Sequence, residues 1–431
     1  MPRHSAGKDD AGPRPTVAVI GSGVAGLTAA HILRSSHRVT LFEADSRFGG
    51  HAHTHDVRAS NGTTLPIDSG FIVHNTRTYP NLLRLFGELE VETRPTEMSM
   101  SVACEECGLE YVGARGPRGL FAQYRRMLDP RFLRMIIEVP RFHRRARAVL
   151  SSGDVDSRTW GEFLERGGFS EYFIRHFAVP LVSCVWSSGD DDTLAYPATH
   201  LFRFLDNHGM LAVGGSPPWY TVVGGSRTYV ERIIAKLPDV RVGTAVSTVR
   251  RHADGVDVRT ADGATSRFDK VVIATHADDA LRILVDASPE ERADLAAITY
   301  STNHTWLHTD DAVLPRIDRA RGSWNYRKDA CDDAQQRVLV SYWMNHLHRV
   351  TAPDDFVVTL NAEGRVDPTK VIAKMTYHHP IFTVQAVAAA ARLREAGGER
   401  LAFAGAHLGW GFHEDGCRSG VEAARRLGAP W

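Results

Sequence analysis

The sequence predicts a mixed α/β protein: a doubly wound parallel sheet built to bind a dinucleotide, interrupted by an inserted substrate domain. Three observations predict it. An apolar strand pattern, Thr16-Val17-Ala18-Val19-Ile20, runs into Gly21-Ser22-Gly23-Val24-Ala25-Gly26. A second strand, 38–42, ends on Glu43, roughly 20 residues after the glycine turn. Near the far end, Leu401-Ala402-Phe403-Ala404-Gly405 reads as one more buried strand, followed by a loop and a helix through Gly416-Cys417-Arg418-Ser419-Gly420.

Each part of the glycine turn has a physical reading. Gly21 permits the tight turn, Gly23 lets the backbone approach a pyrophosphate, and Gly26 lets the helix pack closely on the sheet. Val24 and Ala25 open a helix whose free N–H groups and dipole face the phosphates. Glu43 stands where a carboxylate meets the ribose of a Rossmann-like unit.

The chain then reads Ala44-Asp45-Ser46-Arg47-Phe48-Gly49-Gly50-His51. A Gly-Gly pair after the acid resembles the extended fingerprint of FAD enzymes of the amine oxidase and phytoene desaturase type. The resemblance implies non-covalent FAD. It sets Gly49 and Gly50 beside the pyrophosphate, and His51 where amine oxidases commonly carry Arg. It also implies contacts from Ala44, Val246, Ala274, Thr275 and Gly405. The last contact would come from Glu414, Asp415 and Gly416, with a helix beginning near Gly416 aiming N–H groups at the flavin pyrimidine edge. One departure stands out: the acid usual after the glycine of this strand is replaced by Ala406-His407.

The remaining elements follow in order. Residues 80–215 read as mostly helical. A helix is expected over 227–237 and a β-meander with turns at Asp254-Gly255 and Asp262-Gly263. Lys270–Thr275 reads as a buried parallel strand. Ser288-Pro289-Glu290-Glu291 has the residues of a capped helix start. The FAD-binding domain is assigned to 16–75, 215–290 and 395–431, the substrate domain to 76–214 and 291–394, and a disordered tail to 1–15.

Composition narrows the class. The 431 residues are 43% apolar and 24% charged, ordinary for a soluble protein of more than one domain. Lys and Arg total 51, as do Asp and Glu, so no global charge argues for nucleic acid. No apolar run approaches the roughly 18 residues of a transmembrane helix. Five cysteines, an odd number, suit a reducing cytoplasm. Cys104-Glu105-Glu106-Cys107 has the spacing of half a zinc knuckle, but no second C-x-x-C is present and a tetrahedral site would need distant partners, so it is read as a hairpin turn and no metal is expected.

Residues 118–150 hold nine Arg against Asp129 and Glu138. Phe132, Ile136, Val139, Phe142, Ala146 and Val149 fall near helical spacing, with Pro130 and Pro140 starting or kinking helices. One reading is a basic surface for transient contact with anionic lipid at the inner membrane face or with an acidic carrier protein; the other is a core-facing helix with a solvated Arg face.

Further motifs then name a family. They include Gly49-Gly50-His51-Ala52-His53-Thr54, Asp68-Ser69-Gly70-Phe71-Ile72-Val73-His74-Asn75, Tyr79-Pro80-Asn81-Leu82, Gly224-Gly225-Ser226-Arg227-Thr228, Tyr377-His378-His379-Pro380 and Gly409-Trp410-Gly411-Phe412-His413-Glu414-Asp415-Gly416. The chain resembles flavin amine-oxidase-like proteins encoded beside bacterial cyclopropane-fatty-acyl-phospholipid synthases, and the oxidase-like half of plant cyclopropane synthases. The resemblance implies FAD chemistry on an unsaturated or modified fatty-acyl chain, free or on phospholipid, with a cyclopropane synthase-like methyltransferase as an expected partner. His413, Glu414 and His379 are the expected catalytic residues. Ten aromatic residues are candidates to line an acyl tunnel: Trp160, Phe163, Trp186, Phe202, Phe204, Trp219, Trp306, Trp324, Tyr342 and Trp343. Two rival readings stay open: an oxidase of a small amine, and a non-catalytic flavoprotein that supports a lipid methyltransferase.

Overall fold

The computed structural model describes residues 14–152, 158–212, 214–332 and 338–431. Most of the expected N-terminal tail, 1–13, lies outside the described residues.

The apolar strands at 16–20, 38–42, 239–241, 270–273 and 401–403 form one parallel sheet. Its spatial order is 239–241, 38–42, 16–20, 270–273, 401–403. The first strand is therefore central, with later segments added on either side of it. The order in which strands are added switches side at this strand, so the crevice at its carboxyl end is where a doubly wound sheet takes its ligand. Val17, Ala18, Val19, Val271 and Val272 are fully buried, as expected for strands covered on both faces.

The first helix, Val24–Leu33, packs along the last, His413–Arg426. Small residues make this possible. A Cβ at Gly416 would collide with Val24, and one at Gly420 would collide with the Ala25 carbonyl. The last helix starts three residues before the glycine predicted to open it. Asp415 accepts from the Phe412 N–H at 3.1 Å and so caps the helix one turn earlier.

A second, seven-stranded sheet runs in the order 371–381, 299–308, 357–360, 340–343, 324–328, 100–104, 109–112. Residues 80–215 are mostly helical as expected, with the hairpin 100–104/109–112 as the main exception. Its strands, together with 93–96, interrupt that stretch before helices resume at 116. The meander forms as expected from 246–252, 255–260 and 265–268. Ser288 caps the helix Pro289–Ala296, with Glu291 returning the bond to the Ser288 N–H. That helix packs on Val384–Leu393, and both join the core beside Ile273 and Phe403. Two helices assigned from sequence to the substrate segment 291–394, or to its edge, thus bury their apolar faces against the nucleotide side.

The arginine-rich helix spans Pro130–Ser152, with Pro130 at its start and Pro140 inside it. Phe132, Phe142 and Ala146 are buried in the core of the helical layer.

Candidate active site

A cavity of about 1350 Å³ begins at the carboxyl ends of the parallel strands and extends to the seven-stranded sheet and the helical layer. Its first part is made of backbone. Gly21, Gly23, Val24, Ala25, Glu43, Ala44, Gly50, Val246, Ala274, Thr275 and Gly405, all expected at the cofactor, line it. Gly21 has φ +99°, and a Cβ there would press on the Ala274 carbonyl oxygen at 2.6 Å. By contrast, nothing lies within 4 Å of where a Gly23 Cβ would be, so the turn leaves open space above this residue. The Glu43 carboxylate accepts from the Ser22 N–H at 2.9 Å and hydroxyl at 2.5 Å, and from the Asp45 N–H at 2.9 Å, which fixes it at the cavity wall.

These features fit FAD. The open cradle at Gly23 would take the pyrophosphate at the N-terminus of the first helix. Glu43 would then face the ribose. Phe412 and His413, at the N-terminus of the last helix, face the same cavity further along.

Several residues assigned to the cofactor sit behind this surface. Gly26 does not line the cavity; a Cβ there would collide with the Gly21 carbonyl oxygen, so it serves helix–strand packing. Gly49 also lies off the cavity, its N–H donating to the Ser22 carbonyl and hydroxyl at 3.1 Å. It anchors the loop that brings Gly50 and His51 to the wall.

Three residues of the C-terminal motif are corrected. Glu414 is absent from the cavity wall. Its carboxylate accepts from the Asn81 N–H at 3.1 Å, the Asn81 amide at 2.6 Å and the Leu82 N–H at 3.0 Å, capping the helix Pro80–Glu88. These bonds make it a tie between the two helices. Asp415 caps its own helix and pairs with Arg418 at 2.8 Å. Gly416 packs on Val24 rather than facing the cavity. In a helix, successive residues point 100° apart, so the face that meets the cavity ends at His413.

The middle of the cavity is ringed by histidine: His51, His276, His378, His379, His407 and His413. Rings of His51 and His379 lie 5.4 Å apart, Tyr377 stands 4.9 Å from His51, and His276 stacks on Tyr300 at 4.4 Å. Burial lowers the basicity of five of them. His379 falls to about 4, His407 and His413 to about 3, and His51 and His276 are pulled down as well. They are neutral at physiological pH. His413 is further held by Tyr229, whose hydroxyl is 3.1 Å from Nε2, and by stacking on Phe71 at 3.7 Å. A neutral ring so fixed donates or accepts a hydrogen bond but is no proton reservoir at pH 7. His276 and His407 escaped the sequence reading. The departure at Ala406-His407 was their one local signal.

Beyond the histidines the wall becomes apolar. Met135, Ile136, Val139, Phe177, Leu181, Val185 and Met210 line it. Of the ten candidate aromatic residues, Trp186, Phe204, Trp219, Trp324 and Tyr342 face the cavity. Trp160, Phe163 and Phe202 pack into the helical core, and Trp306 and Trp343 into a small cluster on the far sheet. The described lining carries three charged side chains, Glu43, Asp279 and Arg282, and none among the Met, aliphatic and aromatic residues of the apolar part.

Fold and site together define a flavoprotein oxidoreductase: a dinucleotide cradle opening into a dry substrate chamber. The chain belongs to the family of flavin containing amine oxidoreductases, whose sequence model matches residues 24–315, and FAD is its cofactor. It is 30% identical over 298 residues to a carotenoid phi-ring synthase of Streptomyces griseus, covering 65% of this chain and 55% of that one. The chain spans about half the length of the curated relatives it matches. Its fold is similar to that of a putrescine oxidase triple mutant, with TM-score 0.69 at 14% identity over 96% of this chain and 98% of the other. It is also similar to a fatty acid isomerase from P. acnes, described as CLA-producing, with TM-score 0.65 at 17% identity over 98% and 99%.

Proposed function

We propose that this oxidoreductase acts on a long unsaturated or modified fatty-acyl chain, removing hydride from a substrate C–H to form or move a double bond. The observation that carries this reading is the uncharged far arm of the cavity. A protonated amine seeks a carboxylate; the lining has two, Glu43 and Asp279, and neither belongs to the apolar stretch formed by Met135, Ile136, Val139, Phe177, Leu181, Val185 and Met210. An acyl chain gains about 0.8 kcal/mol for each methylene it buries there. The volume also exceeds the roughly 300–1,000 Å³ of an ordinary small-ligand pocket, as a dinucleotide plus a long substrate requires. Two relatives support the reading by name, one for a fatty acid and one for a carotenoid.

The chain's own residues would work by placement. Bound FAD supplies the hydride acceptor. Gly23, Glu43, Gly50 and the N-termini of the first and last helices hold it. His51 and His379 border the region where nucleotide and apolar parts of the cavity meet. Being neutral, they keep the reacting carbon away from charge and bulk water. Moving a double bond would return the hydride to another carbon, whereas forming one would also pass a proton to an acceptor, a role open to the neutral imidazoles of His51 and His379, and the electrons onward to oxygen.

Substrate entry has a structural counterpart. Five of the nine exposed large hydrophobic residues fall within 124–137: Tyr124, Met127, Leu128, Leu133 and Ile137. Leu128 is 88% exposed and Ile137 70%. Exposed Arg125, Arg131 and Arg134 surround them. The same segment turns Leu120, Phe121, Met135, Ile136 and Val139 inward to the cavity. In our reading this face rests on an anionic bilayer and passes acyl chains inward. Among the described residues no helix is long and apolar enough to cross a membrane.

The test is product analysis. Purified holoprotein is incubated with a series of unsaturated fatty acids and phospholipids, and double-bond positions are mapped by mass spectrometry. A new or displaced double bond, with kcat/KM rising about fourfold per added methylene until the arm is full, supports the reading. Unchanged lipid across the series overturns it.

A further inference from the structure

The hairpin turn at Cys104-Glu105-Glu106-Cys107 forms as expected, but the fold brings it two distant partners. His176 lies on a single π-turn, Ile174–Ala178, between two helices. Cys331 follows the strand Trp324–Lys328. One ligand atom from each of Cys104, Cys107, His176 and Cys331 lies within 4.8 Å of all the others. Cys104 Sγ and Cys331 Sγ are 3.6 Å apart, and Cys107 Sγ is 3.9 Å from His176 Nε2. A zinc tetrahedron with Zn–S near 2.3 Å has edges of about 3.8 Å. The two measured edges bracket that length.

The surroundings prepare these atoms for a cation. His176 Nδ1 is 3.1 Å from the Tyr172 carbonyl oxygen, which only accepts. Nδ1 therefore carries the hydrogen, and the Nε2 lone pair faces the sulfurs, the arrangement metal-bound histidines show. The backbone N–H groups of Cys107 and Leu109 bond to the sulfurs of Cys104 and Cys107 respectively. Gly108, at φ +60°, makes this return of the chain feasible. Positive groups sit just outside: Lys328 Nζ donates to the Cys331 carbonyl at 3.0 Å and Arg126 to the Cys107 carbonyl at 2.5 Å. They offset the surplus negative charge of three thiolates over one divalent ion.

We propose that Cys104, Cys107, His176 and Cys331 form a structural zinc site that pins the substrate-side wall of the cavity. Four protein ligands close the coordination sphere and leave no position for substrate, so the role is structural. The sequence expected no metal here because it lacked a second C-x-x-C. The missing half comes from His176 and Cys331, 69 and 224 residues beyond Cys107. What the ion holds is specific. Phe177, next to His176, lines the cavity, and the following helix Val179–Trp186 adds Leu181, Cys184, Val185 and Trp186 to the wall. Tyr111 ties the same turn to the hairpin, its hydroxyl donating to the His176 carbonyl at 2.8 Å.

The experiment measures metal in the wild-type holoprotein, so its outcome does not depend on a variant folding. Protein purified under reducing conditions and dialysed against a mild chelator is analysed for metals by plasma mass spectrometry. About one zinc per chain is expected, with Cys331→Ser losing it and His176→Cys retaining it. Replacement by Co²⁺ should give tetrahedral thiolate d–d bands to the red of the flavin spectrum. Protein that is metal-free as isolated and takes up neither Zn²⁺ nor Co²⁺ after reduction overturns the proposal. So does a Cys104–Cys331 disulfide found by peptide mapping of protein alkylated at lysis, and iron in place of zinc overturns the choice of metal.

Discussion

The two ends of the cavity are built on opposite principles. The nucleotide end is backbone: a glycine turn, two helix N-termini and one carboxylate held by N–H groups. The substrate end is side chain: methionines, branched aliphatics and aromatics from the hairpin, the arginine-rich helix and both sheets. Backbone sites demand particular residues at fixed spacing, because only glycine tolerates the turn or the close approach. Apolar walls accept any residue of about the right volume. The first end therefore tolerates almost no change, and the second sets specificity through bulk.

The largest effects test the first half of that contrast. Gly26→Val should yield no folded protein, because its side chain meets the Gly21 carbonyl inside the sheet–helix contact. Gly23→Val should fold, since nothing lies within 4 Å of the new Cβ, yet purify without yellow colour. Circular dichroism and the visible spectrum separate the two outcomes. A folded Gly23→Val protein that retains flavin would remove the cradle from the cofactor site.

Next comes the side-chain end. Ile136→Trp should bind FAD normally but lower kcat/KM for long acyl chains about fifteenfold, the loss expected when roughly two methylenes no longer fit. Shorter chains should be little affected. A uniform loss across chain lengths would mean that Ile136 does not border the substrate arm.

Acid should expose the buried histidines. Their folded-state values of about 3 to 4 lie below the ordinary 6.5. Between those limits the unfolded chain binds protons that the folded chain refuses. Stability therefore rises with pH across this window and is lost as pH falls from 6.5 towards 4. Thermal melts at pH 7.5 and 5 read the difference; equal midpoints would mean these rings are solvated.

Smaller still is Glu414→Gln. It weakens charge-assisted bonds to Asn81 and Leu82 and should cost about 1–2 kcal/mol of stability while leaving kcat within about twofold. A collapse of turnover with an unchanged melt would return Glu414 to the chemistry. The combined change Tyr124→Ser, Leu128→Ser, Ile137→Ser should reduce co-sedimentation with anionic vesicles and leave turnover of detergent-dispersed substrate unaltered.

This contrast also explains what could be read from the sequence. Gly21, Gly23 and Glu43 were legible because their spacing is dictated by local geometry. The parallel strands were legible because burial on both faces leaves continuous apolar runs. Glu414 was misplaced because an acid at a helix start suits a cap, a cofactor contact and a proton carrier equally well; only its distance to Asn81 decides. His276 and His407 were missed because they meet across strands 130 residues apart. Half of the candidate aromatics proved to be core, since an aromatic residue reads alike whether it fills a core or faces a cavity.

The central claim is that the uncharged arm selects an acyl chain over an amine. It is tested most directly by mixing oxidised holoprotein anaerobically, side by side, with an unsaturated fatty acid or phospholipid and with putrescine and cyclohexylamine, then recording flavin absorbance and lipid products. The account predicts conversion of the lipid, by flavin bleaching or by a displaced double bond, and an unchanged spectrum with both amines. Rapid bleaching by an amine with the lipid left intact would contradict it.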